Sequence, residues 1–579
     1  MAKPKGAVRS SQLVTTYGIG SIVALRDESF MVAGIDRWPV DEPDLSEPRL
    51  QRILGIRGFV RPPAGEDRGD VPVVRFPRYY FCPDCHRLDD HRFFGGSWQE
   101  AKCTSCDGPI VPARFVMVCE RGHIDDFPWF NWVHAGSDRM ADAKHRLSIK
   151  AGGATSSLAD IEVSCICGHS RNLDGAFGKG ALREISRCTG RRPWLAGSEP
   201  EPCDQQPRSL QRGASNVWFS VVRSAISIPP WSEGAFRALD HHWRVLRHIS
   251  DESALRGVVT GMKLSEKTGI TVDDLIEAIF QRQRQEAGEE PVGDVKSQEH
   301  EALIRGKPDD GEIRQDFVCE TVNDVDPRVN EYFSKVSNVS RLREVRVLEA
   351  FTRLFPPEGG GEDRRLVRIV DPEKALLPGI EVIGEGVFLE LEPQRLQRWE
   401  ARAEILSRAG IIQRYLADRC EQRGISVPRM ITPRFLLVHT LAHALITQWA
   451  LDSGYSASAL RERLYVSDDF AGILVYTATS DSAGSLGGVI SQTRPERLLS
   501  GLVDAIGRVS WCSADPLCIE AGSQGADALN LGACHACVLL PETSCEEMNL
   551  LLDRGMLVGT PEQPQIGYFN GWLESDWPS

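Results

Sequence analysis

A chain of 579 residues with 67 basic and 81 acidic side chains has a formal charge of −14, which argues against a general nucleic-acid coat protein but allows a local basic face. That length exceeds a single hydrophobic core and predicts three or four domains, none so small that it needs cross-links to fold. The start, "MAKPKGAVRSSQLVTTYG", has no apolar signal core, and no later run reaches membrane-spanning length. The expectation is a soluble cytoplasmic protein without a membrane partner, in which sixteen cysteines signal metal before disulfides.

In chain order, residues 1–78 read as a β-rich segment: "GIGSIVALRDESFMVAGIDRWP" (18–39) has the pattern of a hairpin, and 60–72 is a loop. Residues 79–215 hold nine cysteines among many glycines and prolines and read as a double zinc-binding module. Residues 216–430 read as mainly helical. "LREVRVLEAFTRLF" (342–355) and the stretch 394–420 place apolar residues at i, i+3 and i+4, while 284–312 reads as an acidic linker and 356–365 as a glycine loop. Residues 431–579 read as an α/β zinc-binding domain. It has a mostly apolar helix at 433–451, a buried strand at 471–479, a glycine turn at 482–489 and a helix at 495–511. The class is α+β and multidomain.

Cysteine spacing gives three sets of four, hence about three structural Zn2+ sites. Cys82 and Cys85 with Cys103 and Cys106 form two C-x-x-C knuckles of a zinc ribbon, with Gly108 expected to supply the tight bend of the second. Cys165, Cys167, Cys188 and Cys203 are the second set, with Cys119, His123 and His169 as competing ligands. Cys534, Cys537 and Cys545 of "GACHACVLLPETSCE" take Cys518 as fourth ligand, with Cys512 and His535 as substitutes. Cys119, Cys319, Cys420 and Cys512 are left as small core residues. Closed thiolate sets leave no position for a catalytic water.

Other motifs are weaker. "GAFGKG" (175–180) lacks the Walker spacing, and neither H-E-x-x-H nor G-x-S-x-G is present. His439 and His443 of "HTLAH" share a helical face, but without an acidic residue between them two core histidines are the plainer reading. Asp125 and Asp126 suit a turn or helix N-cap better than catalysis. The glycine turn 481–490 could receive a phosphate on backbone N–H groups. Arg191, Arg192, Arg208 and Arg212, with Trp194 and Trp218 for stacking, form a candidate nucleic-acid face.

Together "SQLVTTYGIGSIVAL", "CERGHIDDFPW", "CTGRRPWL", "QRGASNVWFS", "HTLAHAL", "DSAGSLGGV" and "CHACVLLPETSCE" resemble the B-component (DrmB) family of the DISARM anti-phage defence system. The resemblance spans nearly the whole chain, except the 284–312 stretch. Its C-terminal region resembles a domain of unknown function found at the ends of certain bacterial superfamily-two helicases. The resemblance implies a DNA helicase partner (DrmA-like) that supplies the ATPase, action of the pair on invading DNA beside methyltransferases that mark self, and zinc on the C-terminal cluster at Cys518, Cys534, Cys537 and Cys545. The resulting expectation is a non-catalytic zinc-stapled subunit that reaches DNA through the complex. Its rivals are a metal-dependent nuclease or hydrolase using Asp125, Asp126 or the His439/His443 pair, and a stand-alone zinc DNA-binding protein.

Overall fold

The structure, a computed structural model, describes residues 6–25, 28–40, 42–65, 69–96, 101–135, 145–152, 157–286, 294–309, 315–357, 365–369, 375–423, 425–477, 487–525 and 529–573. The chain divides into two compact units, each assembled from segments distant in sequence. One comprises 1–45, 54–223 and 346–380; the other comprises 46–53, 224–345 and 381–579.

The first unit is β-rich. Ile22–Leu25 and Glu28–Val32 pair as the expected antiparallel hairpin, with Ile22 opposite Met31, and Val73–Arg75 adds a third strand. A six-stranded sheet runs in the order Ser170–Asn172, Ile161–Cys165, Leu147–Ala151, Arg87–Asp90, Tyr79–Phe81, Val111–Pro112. Phe115–Val118 pairs on one side with Ile124–Asp126 and on the other with Arg208–Gln211. Its core is aromatic: Phe127 lies 4.7 Å from Trp129 and 5.5 Å from Trp132, centroid to centroid. Among the described residues no carboxylate pairs with the buried Arg353 guanidinium. It donates instead to the carbonyls of Gly122, Val217 and Gly20 at 2.8, 2.6 and 2.9 Å and lies over the Phe351 ring. Burial lowers its pKa to about 9.

The second unit contains a helical cluster, Gly234–Leu239, Glu252–Gly261, Leu264–Thr268 and Val272–Glu286, around Trp231, Phe236, Leu255, Leu275 and Ile279. Its sheet runs Phe219–Ile226, Phe333–Thr352, Leu376–Leu391, Ala471–Thr477, Leu460–Val466; the first three strands contribute residues to both units. Both faces are covered. Phe388, Leu474 and Tyr476 enter one core, whereas Val387, Leu389, Ile473 and Val475 enter the other, which is why "GVFL" (386–389) and "GILVY" (472–476) read as apolar runs without alternation. Against the second face packs the central helix Pro433–Ser453, started by Thr432 (its hydroxyl accepts the Phe435 N–H at 3.3 Å) and stopped by Gly454 in the left-handed region. No helix among the described residues is long and apolar enough to cross a membrane.

Two expectations for the middle of the chain are corrected. Residues 342–352, expected as helix, lie in the strand Phe333–Thr352. The alternating charges that imitated a polar helical face are buried and paired: Arg343 Nε binds Glu381 at 2.8 Å, and Glu344 binds Arg461 at 3.4 Å. The acidic stretch 284–312 contains the helix Val295–Arg305; residues 287–293 and 310–312 lie outside the described residues, as do 358–364 of the glycine loop. From that helix Glu299, fully buried, accepts hydrogen bonds from Arg463 (2.6 and 2.9 Å), Tyr465 (3.2 Å) and the Ile226 N–H (2.8 Å).

Glu299→Ala removes the closest counter-ion of Arg463 and leaves it only the 3.6 Å pairing with Glu546, so it is expected to cost about 3 kcal/mol in a urea unfolding titration of the full chain. Replacing both partners, as Glu299→Leu with Arg463→Met, should cost less than the single change.

Candidate metal centres

None of the sixteen cysteines is paired in a disulfide. Among the described residues, all but Cys319 and Cys420 gather with histidine and one glutamate into five groups, each with its donor atoms within 4.8 Å of one another. Four sulfurs around a zinc ion at about 2.3 Å lie roughly 3.8 Å apart, so these groups have the size of a tetrahedral site.

The ribbon quartet is Cys82, Cys85, Cys103 and Cys106, as its spacing indicates. Cys82 and Cys106 sulfurs lie 3.5 Å apart, and Cys85 and Cys103 3.4 Å. Each knuckle closes when the residue after its second cysteine turns left-handed: His86 at φ 64° and Asp107 at φ 60°. The bend therefore belongs to Asp107 rather than Gly108, beside which the exposed Asp84 carboxylate lies where a Cβ would stand. The Ser105 N–H points at the Cys103 sulfur at 3.4 Å.

The expected second set separates into two. Cys188 and Cys203 meet Cys119 and His123, not Cys165 and Cys167. Cys119 and His123 sit at the tip joining Phe115–Val118 to Ile124–Asp126, and His123 Nδ1 lies 3.4 Å from Cys119 and 3.5 Å from Cys188. Its Nε2 is held at 2.6 Å by Glu201, which fixes the tautomer and leaves Nδ1 as the donor. Gly122 (φ +80°) passes so close to Val367 that no side chain fits.

Cys165 and Cys167, at the end of the strand Ile161–Cys165, are joined instead by His134 and His145. His134 Nδ1 donates to the Phe130 carbonyl at 2.7 Å, which aims Nε2 at Cys167 at 3.2 Å, while His145 Nδ1 lies 3.4 Å from Cys165. His169 remains on the exposed side of Cys167 at 3.4 Å. No spacing rule marks His134 or His145; C-x-x-x-H did mark Cys119 and His123.

The C-terminal set is Cys512, Cys518, Cys534 and Cys537. Cys512, the substitute in sequence reasoning, takes the place given to Cys545, its sulfur 3.5 Å from Cys534; Cys518 lies 3.8 Å from Cys537. The cause is the turn after the helix Pro495–Val509, which returns Cys512 to the "CHAC" loop. Cys545 goes to His439, His443 and Glu462, a fully buried group. Cys319 and Cys420 are buried residues outside these groups, as expected.

The thiols show why a cation suits them. Burial pushes Cys103 up, but the Ser105 N–H and Cys85 bring it to about 7. A hydrogen bond from Cys119 brings Cys188 to about 4 against burial, while Cys119 is driven far up by the same neighbour. The His169 N–H, ahead of burial, brings Cys167 to about 5. Thiols this close oppose one another's ionisation, and positive charge between the sulfurs relieves that opposition.

The remaining candidates are placed otherwise than sequence suggested. Trp194 is fully buried, its ring 5.1 Å from Phe351, so it offers no stacking surface; Trp218 is half-buried and donates to the Ile19 carbonyl at 3.1 Å. Arg191, Arg192 and Arg208 reach Asp125, Glu201 and Glu120 at 3.6, 3.4 and 3.9 Å, and Arg212 is half-buried. Asp125 and Asp126 lie in a strand, not at an N-cap. Asp126, its pKa raised by burial, accepts from Arg78 Nε (2.9 Å) and the N–H groups of Arg78 and Tyr79 (2.8 and 3.0 Å), and Asp125 accepts from Arg78 Nη2 at 3.2 Å. Residues 478–486 of the glycine turn lie outside the described residues. The N–H groups of Gly487 and Val489, just after them, bind the Glu385 carboxylate.

Residues 9–219 match a family model described as a domain of unknown function (DUF8724), a span that holds the first three groups. Residues 441–538 match the MrfA Zn-binding domain, which includes Cys512, Cys518, Cys534 and Cys537 and stops short of Cys545. The chain is 32% identical over 566 residues, 94% of its length and 99% of the relative's, to the DISARM protein DrmB of Bacillus paralicheniformis.

Glu201→Ala frees the His123 ring and should weaken zinc binding at Cys119, His123, Cys188 and Cys203 by about 10–100-fold, read by competition with a chromophoric chelator. The ribbon quartet should keep its affinity.

Proposed function

The chain belongs to the DrmB family of DISARM proteins, and from that premise we propose that it is a non-catalytic, zinc-stabilised subunit that partners a DNA helicase in anti-phage defence and helps to bind or guide invading DNA. The observation that carries this reading is the end-to-end similarity to a DISARM protein, 94% of one chain against 99% of the other. The chemistry of the donor sets supports it. Four protein ligands per ion leave no position for an activated water, so zinc held by these residues supplies rigidity rather than reaction. The acids that a nuclease would need are already engaged: Asp125 and Asp126 neutralise Arg78 and receive backbone N–H groups.

DNA is guided, on this reading, by Arg191, Arg192 and Arg208 around the His123 quartet. The arginine side chains are 27–40% exposed; Glu201 and Glu120, which pair with Arg192 and Arg208, are exposed carboxylates that a phosphate can replace, and Arg191 keeps an exposed edge beside the buried Asp125. Arg212, whose pKa burial lowers, contributes less.

The test is reconstitution. Purified with the helicase subunit, the chain should co-elute with it and raise its DNA-dependent ATPase, while alone with Mg2+ or Mn2+ it should leave single- and double-stranded DNA intact. Cleavage that vanishes on Asp125→Ala overturns the proposal. The double change Arg191→Ala, Arg208→Ala should reduce the logarithmic salt slope of DNA binding by the complex by about 2.

A further inference from the structure

We propose that His439, His443, Glu462 and Cys545 form a metal-binding site of their own, separate from the sulfur-rich quartets, that holds one zinc ion as a closed, charge-neutral centre. The MrfA-type match ends at residue 538 and begins at 441, so it includes neither Cys545 nor His439, and it already contains a complete cysteine quartet.

The donors come from three places in the second unit. His439 and His443 are one turn apart on the central helix, Glu462 lies in the strand Leu460–Val466, and Cys545 follows the turn Glu542–Ser544. Both histidines give their Nδ1 hydrogen to a backbone carbonyl, His439 to Leu551 at 3.2 Å and His443 to Val538 at 2.8 Å. That choice of tautomer leaves both Nε2 atoms as bare lone pairs facing inward. His439 Nε2 is 3.2 Å from the Cys545 sulfur and 3.2 Å from Glu462 Oε1, and His443 Nε2 is 3.6 Å from Glu462 Oε2. A zinc ion at about 2.0–2.3 Å from each donor places them roughly 3.3–3.8 Å apart, which these separations match.

Without an ion the group is poorly satisfied. His443 Nε2 and Glu462 Oε2 are both buried with no hydrogen-bond partner, and no Lys or Arg among the described residues pairs with Glu462. Solvent does not reach it, since His439, His443 and Glu462 are each 0% exposed. Unpaired polar atoms so deep are uncommon in folded proteins and ask for a missing partner. One divalent cation satisfies all four donors at once. Two neutral imidazoles, one thiolate and one carboxylate bring the total charge to zero, the arrangement that full burial favours. Nitrogen and sulfur donors select against Mg2+ and Ca2+, and four donors in a tetrahedron suit zinc. Because all four positions are filled by protein, the site is a clamp that ties the central helix to the strand and to the segment after residue 545.

Anomalous diffraction from the zinc-loaded full chain, recorded on both sides of the zinc edge, tests this directly. The expected result is a peak at the centre of the four donors beside the peak of the Cys512 quartet. Metal content should fall by one equivalent in His443→Ala and in Cys545→Ala, with no further fall when the two are combined, whereas Cys537→Ala should remove a different equivalent additively. An anomalous map with the Cys512 quartet occupied and nothing at the other centre overturns the proposal, as does an unchanged metal count in the folded variants. The map is recorded on the unaltered protein, so the proposal can still be overturned where a variant fails to fold.

Discussion

Sulfur atoms gathered within a few ångströms repel one another once ionised, and only a cation between them lets the loops that carry them stay closed. Much of the first unit depends on this constraint. Its strands are short, several of two or three residues, and its turns lean on left-handed residues such as His86 and Asp107 that have weak preference for their conformation unless anchored. A structural zinc contributes roughly 10–16 kcal/mol of apparent binding energy, against a net stability of about 5–15 kcal/mol for an ordinary domain. Each filled quartet therefore weighs as much as a small core, and it does so at the tips of hairpins, where apolar burial is least available.

The second unit holds two of the five donor groups and also solves a different problem, since it buries many charges as matched ion pairs. Glu299 with Arg463, Glu381 with Arg343 and Glu385 with the backbone after the glycine turn are each matched donor to acceptor inside or beside the sheet. Such pairs define register: sliding a strand by one residue would leave every ion on the wrong face. The same rule operates in the first unit around Arg353, whose charge is spread over three carbonyls.

How far sequence reasoning reaches follows from the range of each interaction. The hairpin at 22–32, the central helix, the strand at 471–477 and the ribbon quartet were legible because turn residues, apolar runs and C-x-x-C spacing are local. Ligand partnership is not local. Cys165 and Cys188 lie in one cysteine-rich stretch yet serve different groups: Cys165 ends a strand beside the His134 group, whereas Cys188 lies in a loop whose Arg191 carbonyl accepts the Ile124 N–H next to His123. His145 and Glu462 carry no motif at all. Residues 342–352 misled for a related reason: on a strand buried on both faces, paired charges and apolar residues need not alternate, and a helical period can arise by accident.

The ligand sets of the first unit are also nested. His134, His145, Cys165 and Cys167 all fall inside the long segment that separates His123 from Cys188. Gathering the inner four removes about half of the free chain that the outer four must otherwise bring together, and halving a loop reduces its closure entropy by about 0.6 kcal/mol. The saving is modest, but it always has the same sign, so the topology gives assembly a direction, from the inner knot outward, written in the order of the ligands along the polypeptide.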